Sequence, residues 1–520
     1  MKPVGVLVSY NHSEGEQANI ITVAASGIKI SSRWVLTHGS ILSPLKQAEL
    51  ISRAKGKPIL SDQFYEHLPE IYVTCEREDS ETDYDGVAKL ARKREDPLEL
   101  GHSSYQMRVL TGRICHVWQC PVLDRCVEDI LYSWTIGHRD GDADKQSQLG
   151  NTLLSVFLLI DLEDQVRGQN HKPLRPLSEL YDVVGPAPAR GKPLEIHSTP
   201  FGNEVFLNSV STGAVCGAAG RRPALLLTDA ATALGSEGAP AFTSKQLIGI
   251  VVCSVSWWRG EWVGLTLVAP LRAVLAAKLR LNDAVKEAPP PAKHLKILES
   301  IDSSLVLVRC GAAWGAGVYL GGGYVVTCAH VVRNYSSAKV SLYARGVKEM
   351  AIVRYKTADD KAYDLALLFS NPENWTHLVP AHFSTETIKK GEPVLAAGFP
   401  FFNENNLEDL RPTVTSGHAN NVSPSMIQTS CCVQSGFSGG AIYRITASSR
   451  VEVLGIIVCN AKTETGACFP YINMAVPAST FVHLLHTYMH DKDADKLKCI
   501  ESDKEIIQSQ WRLMPYRSKI

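Results

Sequence analysis

The sequence has no excess of charge: its 520 residues carry 53 Lys+Arg against 53 Asp+Glu. That balance gives no basic stripe of the kind a nucleic-acid binder needs, and no acidic solvating tail. It also has no long apolar run. The most apolar segment, Leu153 to Leu162, is about half the ~20 residues a membrane helix requires, so no membrane span is expected. The start, MKPVGVLVSYNHSEG, lacks the basic region and apolar stretch of a secretory signal, and a chain kept out of the export route is expected. Cysteine is plentiful, at 13, but the count is odd and the chain is large. Reduced thiols packed as small hydrophobes are therefore expected rather than a disulfide framework. Cys115, Cys120 and Cys126 have no second cluster at zinc-ligand spacing, so neither a metal nor a cofactor is expected.

What is present is a two-part pattern. Lys286-Glu-Ala-Pro-Pro-Pro-Ala-Lys293 is the clearest break, because three prolines fix φ and remove three donors. After it come short apolar runs separated by Gly, Pro and Asn, which indicates an all-β barrel or sandwich. Strands are expected at Leu305–Val308, Gly317–Leu320, Tyr324–Thr327, Val340–Tyr343, Leu365–Phe369, Pro393–Ala397, Met426–Thr429, Ala441–Tyr443 and Val453–Val458. Ser479 to His490, with Phe481, Leu484 and Leu485 on one face, predicts a single short terminal helix.

The first half repeats these landmarks. Gly27–Thr37 runs in step with Gly317–Thr327, Gly235–Ala241 with Gly436–Ile442, Ile248–Cys253 with Leu454–Cys459, and Thr266–Pro270 with Asn473–Pro477. Four matches in one order indicate an internal duplication. The domains expected are 1–282, 283–294 as a Pro-rich linker, 295–485, and a tail over 486–520.

The chemistry lies in the second half. Gln434-Ser-Gly-Phe-Ser-Gly-Gly-Ala441 sets Ser438 among three glycines, in a loop able to aim the N–H groups of Gly436 and Ser438 at a developing oxyanion. Val325-Val-Thr-Cys-Ala-His330 is a strand ending in a candidate base, and Tyr363-Asp-Leu-Ala-Leu-Leu368 a strand opened by a carboxylate. Each fragment alone is commonplace: a packed histidine, a strand-end aspartate, a glycine turn. Together they stand in the order His330, Asp364, Ser438, at separations that put base and acid in one barrel and nucleophile in the next. Asp359 and Asp360 are rivals for the acid, without the apolar strand that follows Asp364. In the first half the corresponding places fall on Ser40, near Ser155, and on Glu237, with His38 two residues early, so that half reads as a degenerate protease-like module.

The TCAH330, YDLAL and GFSGGA fragments resemble the trypsin/HtrA (Deg) group of serine proteases over about 190 residues. That resemblance implies a chymotrypsin-like double β-barrel and acyl-enzyme hydrolysis without metal or cofactor. The chain's last three residues, Ser518-Lys519-Ile520, are close to the Ser-Lys-Leu peroxisomal address. With the degenerate first half, they make the chain similar to the peroxisomal and glyoxysomal processing branch of that group. The resemblance implies a peroxisomal matrix location, recognition of the C-terminus by the import receptor, and removal of cysteine-ended leader peptides from imported matrix enzymes. It also implies trimming of β-oxidation enzymes and self-cleavage near the N-terminal third, where Cys75, Cys115, Cys120 and Cys126 are candidate positions. A homo-oligomer is compatible with it; nucleic acid is not an expected partner. In trypsin-like folds the residue six before the nucleophile lies at the base of the specificity pocket. Here it is Cys432, opposite a wall of Val458, Cys459 and Asn460, which predicts a small neutral pocket. Two alternatives remain: a non-catalytic peptide-binding protein on a protease scaffold, and a general HtrA-like quality-control protease. The latter usually carries a PDZ domain, for which the ~35 residues after the terminal helix are too few.

Overall fold

A computed structural model gives the fold. It describes residues 3–14, 19–54, 64–65, 67–76, 107–131, 149–162, 174–220, 223–258, 261–281, 292–384, 386–400, 402, 407, 410–462, 468–501 and 505–512. The triproline break and the terminal Ser518-Lys519-Ile520 lie outside the described residues.

Among the described residues, twenty-four strands form four closed barrels, and each barrel uses six consecutive strands. The first barrel takes β1 (Val4–Glu14), β2 (Asn19–Lys29), β3 (Trp34–His38), β4 (Ile71–Glu76), β5 (Met107–Gln119) and β6 (Val156–Asp161). The second takes β7 (Pro193–Ser198), β8 (Ser209–Ala219), β9 (Leu225–Thr228), β10 (Pro240–Thr243), β11 (Gln246–Trp258) and β12 (Glu261–Pro270). The third has β13 (Leu305–Cys310), β14 (Ala313–Gly321), β15 (Tyr324–Thr327), β16 (Val340–Ala344), β17 (Val347–Lys356) and β18 (Ala366–Phe369). The fourth has β19 (Pro393–Gly398), β20 (Thr413–Ser423), β21 (Met426–Thr429), β22 (Ala441–Ile445), β23 (Val451–Lys462) and β24 (Cys468–Pro477).

All four barrels close in one order: first, second, third, sixth, fifth, fourth strand. Closure leaves no unpaired edge, which is how strands this short are made stable without a covering layer. The repeat seen in the sequence is thus a repeat of a whole barrel pair. Each half ends its second barrel in a helix, Leu271–Leu279 in the first and Ala478–Asp491 in the second, the latter where the spacing of Phe481 and Leu485 places it.

Every expected strand of the second half is present. Three were not anticipated, β17, β20 and β24, and neither were the helix Ala292–Ser304 that leads into β13 and the helix Glu505–Arg512, which adds a second terminal helix where a single one and a tail were expected. The cysteines whose side chains are described are free thiols and mostly buried, as expected of small hydrophobes. Among the described residues no helix is long and apolar enough to cross a membrane.

The halves are joined by packed strands and by a half-buried cation. Arg190 of the first half donates to the Pro412 carbonyl and to Asp302 Oδ1 of the second, both at 2.6 Å.

Candidate active site

The third barrel carries the candidate base and acid. β15 ends at Thr327, whose hydroxyl donates to the Ala316 carbonyl at 2.6 Å and locks the strand end onto β14. Three residues later His330 opens a single 3-10 turn. β18 pairs with β15 in a register that sets Ala366 beside Thr327, so Asp364, just ahead of β18, arrives at the level of His330. One carboxylate oxygen accepts the His330 main-chain N–H at 2.9 Å, and the other meets His330 Nδ1. Burial pushes the Asp364 carboxyl up, but the bonds from the His330 ring and from the main-chain N–H groups of His330 and Ala329 outweigh it, leaving the carboxyl below its ordinary value. An ionised carboxylate on Nδ1 fixes the tautomer that leaves Nε2 free to take a proton. The rivals are elsewhere: Asp359 and Asp360 are exposed, and Asp359 pairs with Lys356 at 2.7 Å.

The fourth barrel carries the candidate nucleophile. The loop from Gln434 to Gly440 is held by Phe437, wholly buried in the barrel core, and by three main-chain bonds. Phe399 N–H donates to the Gly436 carbonyl at 2.9 Å, Ala316 N–H to the Ser438 carbonyl at 2.8 Å, and Gly439 N–H to the Ile457 carbonyl at 2.8 Å. The second of these ties the loop to the barrel that carries the base. Gly436 has φ +93°, and a Cβ there would lie 2.0 Å from the Phe399 carbonyl oxygen, so only glycine fits. Among the hydrogen bonds of the described residues, the N–H groups of Gly436 and Ser438 have no acceptor. They are the two donors of the candidate oxyanion site. Ser438 is half-buried and its hydroxyl donates to the Val458 carbonyl at 3.2 Å.

Of the expected pocket residues, Val458, Cys459 and Asn460 follow one another on β23, whereas the Cys432 side chain packs into the hydrophobic cluster of the first half and not at a pocket base. Val458 and Asn460 are buried, and Asn460 Nδ2 donates to the Val433 carbonyl at 2.7 Å, clamping the wall to the segment that precedes the nucleophile. None of Cys432, Val458, Cys459 and Asn460 carries a charge. Cys432 is wholly buried, and its thiol donates to the Gly264 carbonyl of the first half at 3.5 Å, a contact between halves that no sequence pattern signalled. The ligand atoms of Cys328, His330 and Asp364 lie within 4.8 Å of one another. Each is already committed, the Cys328 thiol to the Ile457 carbonyl at 3.1 Å and the other two to each other.

The first half keeps the frame and loses the chemistry. Thr37 donates to the Ser26 carbonyl as Thr327 does to Ala316, and the N–H groups of Ser26, Ser236 and Gly238 repeat the loop bonds of Ala316, Phe437 and Gly439. At the base position stands Ser40. The β3–β6 register sets Leu158 beside Thr37, which puts Val156, one residue on from Ser155, at the acid position. His38 is buried between Ser40 Oγ at 3.0 Å and the Leu154 carbonyl at 3.1 Å. Burial lowers its pKa to about 4 against the Leu154 bond, so it stays neutral. Glu237 replaces the nucleophile, and its carboxylate accepts the Gly235 N–H at 2.9 Å. That N–H is the counterpart of Gly436 N–H, so the oxyanion site of this half is filled by its own side chain.

Burial raises the Glu237 pKa more than its hydrogen bonds from Gly235 and Ser254 lower it. The folded protein therefore holds this proton more tightly than the unfolded chain, and stability falls as pH rises from about 4 through the raised value. Unfolding of wild type and Glu237→Gln compared from pH 4 to 7.5 is expected to show wild type losing ground steadily as pH rises. A difference independent of pH would exclude a buried, ionisable plug.

The four candidate self-cleavage cysteines sit in regular structure: Cys75 in β4, Cys115 in β5, Cys126 within the helix Pro121–Leu131 and Cys120 just before it. Three of them are buried and Cys115 is half-buried.

Comparison with known proteins agrees with this geometry. Residues 315–456, from β14 through β23 and including all three triad positions, match the trypsin-like peptidase domain family. The peroxisomal leader peptide-processing protease of Homo sapiens is 33% identical over 404 residues, 72% of this chain and 68% of its own. The protein of that name in Mus musculus is 33% identical over 364 residues, 64% of this chain and 62% of its own. The periplasmic serine endoprotease DegP of Salmonella typhimurium is 35% identical over 184 residues, 33% of this chain and 35% of its own. With the human relative, that likeness reaches well beyond the catalytic barrels, and the chain belongs to the family of peroxisomal leader peptide-processing proteases.

Proposed function

We propose that the chain is a serine endopeptidase of the peroxisomal matrix that removes leader peptides from imported proteins, with His330, Asp364 and Ser438 as its catalytic triad. The observation that carries the reading is the pairing of an oriented imidazole with a glycine loop whose two N–H donors are uncommitted. The family membership supports the location and the substrate class.

The chemistry follows from the positions. A substrate main-chain N–H that takes the Val458 carbonyl displaces the resting hydrogen bond of Ser438 and turns its hydroxyl toward Nε2 of His330. Oγ attacks the scissile carbonyl carbon while Nε2 takes its proton, and the oxyanion falls to the N–H groups of Gly436 and Ser438. Collapse breaks the C–N bond, and the imidazolium returns the proton to the leaving amine. Water, deprotonated by the same imidazole, then hydrolyses the acyl-enzyme. Asp364 stays ionised throughout, holding the ring and stabilising its charge.

The neutral wall of Val458, Cys459 and Asn460 supports a preference for a small uncharged side chain before the scissile bond, cysteine included. Leader-bearing peptides with Cys, Ala or Arg at that position, digested by the full chain and read by mass spectrometry, test it. Cleavage after Cys in preference to Arg, by about 100-fold or more in kcat/KM, is expected, since burying an unpaired guanidinium is heavily penalised. Cleavage of the Arg peptide alone would remove the pocket assignment and keep the protease. Self-cleavage, import through Ser518-Lys519-Ile520 and assembly into oligomers belong to the same proposal.

A further inference from the structure

The two halves meet through equivalent strands: β12 lies on β24 and β8 on β20, so the second barrels stand back to back. In this seam one main-chain carbonyl of the first half serves two side chains of the second. Cys432 Sγ donates to the Gly264 carbonyl at 3.5 Å, and Tyr471 Oη donates to the same oxygen at 3.2 Å. Gly264 has φ +66°, and a Cβ there would stand 3.2 to 3.4 Å from the Tyr471 ring and hydroxyl, so a side chain would be strained and would crowd Tyr471. Cys432 packs into the hydrophobic cluster of the first half, away from the core of its own barrel.

Both donors belong to the frame of the candidate active site. Cys432 precedes Ser438 by six residues, and its carbonyl accepts Thr415 Oγ1 at 2.9 Å. The next residue, Val433, donates its N–H to the Pro470 carbonyl at 2.9 Å, beside Tyr471, and accepts Asn460 Nδ2 at 2.7 Å. A continuous set of bonds thus runs from Gly264 through Cys432 and Tyr471 to the pocket wall and the oxyanion loop. Burial is the largest cause that pushes both the Cys432 thiol and the Tyr471 hydroxyl up, followed for Tyr471 by its neighbour Cys432, with Asp229 of the first half adding to both, so both remain donors.

We propose that Gly264 of the first half is a positioning residue for the catalytic site of the second: its carbonyl fixes the start of the nucleophile loop and the strand behind the specificity pocket, so the degenerate half governs the turnover and side-chain preference of the active one. This rests on the protease reading of Ser438. The duplication then has a use, since the half that lost its triad kept the strand that braces the other.

The test uses the full chain and two readouts. One is the rate at which a fluorophosphonate labels Ser438, whose Oγ displaces fluoride from phosphorus. The other is kcat and KM for leader peptides with Cys or Val before the scissile bond. Wild type is compared with Tyr471→Phe, Cys432→Ala and Cys432→Ser, and melting is followed in parallel. Tyr471→Phe and Cys432→Ala are each expected to slow labelling and lower kcat by about three- to tenfold, the worth of one hydrogen bond, and to shift the Cys-to-Val ratio. Cys432→Ser keeps a donor and recovers most of the loss. Lower melting temperatures with labelling rates and ratio unchanged overturn the proposal while leaving the protease intact. Wild type that labels Ser438 yet cuts no leader peptide removes the leader-processing reading only, and labelling rates still decide this one. Wild type that does not label removes both.

Discussion

Replacing Ser438 by alanine is expected to abolish leader-peptide cleavage, by about 10⁵- to 10⁶-fold in kcat, the scale seen when a triad nucleophile is removed elsewhere. The fold should not notice. The Ser438 side chain makes one hydrogen bond, to the Val458 carbonyl, from a half-buried site, and the loop is held by main-chain bonds and by Phe437 instead. A melting temperature within about 2 °C of wild type is therefore expected, since losing one partly exposed hydrogen bond is worth 1 kcal/mol or less. His330→Ala should cost nearly as much. The double variant should cost no more than either alone, because attack by Oγ and proton transfer to Nε2 are one event. Asp364→Asn should retain the shape of the site but cost about 10⁴-fold, by offering His330 Nδ1 a donor where it needs an acceptor. Peptide cleavage by Ser438→Ala at the wild-type rate would sink the assignment of this site, and a serine elsewhere would have to be sought.

Much of this site was legible in the sequence because its signals are local. A histidine after a buried strand, an aspartate before one, and a serine between glycines each carry their own context, and their order fixes which barrel holds which. The strands that escaped notice failed for a physical reason. β17 alternates in burial along its length, but its outward positions include Met350 and Ile352, and inward ones include Glu349, so the expected apolar-in, polar-out pattern is blurred. β20 reads Thr-Val-Thr-Ser-Gly-His-Ala-Asn-Asn-Val-Ser, too polar to look like a strand until its register with β19 is seen. What could not be read at all is what depends on two distant segments meeting. Glu237 looked like a lost nucleophile; that its carboxylate returns to Gly235 and fills the vacant oxyanion site is a consequence of loop conformation. Cys432 was placed at the pocket base by its distance from Ser438, and only the docking of β12 on β24 shows that its thiol reaches into the other half instead. The duplication was visible as four matched words, whereas the common closure order of four barrels required the pairing of strands.

The same glycine loop gives the second large effect. Gly436→Ala is expected to lower kcat by about 10²- to 10³-fold, with KM little changed, because it removes an oxyanion donor without touching the triad. The reasoning is steric. A Cβ at Gly436 would stand 2.0 Å from the Phe399 oxygen and 2.7 Å from its carbon, both main-chain atoms that cannot rotate away. The φ of +93° is itself disfavoured for alanine. The peptide must turn, the bond from Phe399 N–H to the Gly436 carbonyl breaks, and the Gly436 N–H leaves the point where the oxyanion forms. Gly391 provides the control. Its φ of +81° is as unfavourable, but a Cβ there meets nothing within 4 Å, and it lies in the turn before β19, away from the site. Gly391→Ala should therefore lose about 1 kcal/mol of stability and keep wild-type kcat. If both variants lose kcat equally, the defect is general loop strain. If Gly436→Ala turns over within twofold of wild type, its N–H is not the oxyanion donor and the site must stabilise its intermediate by other groups.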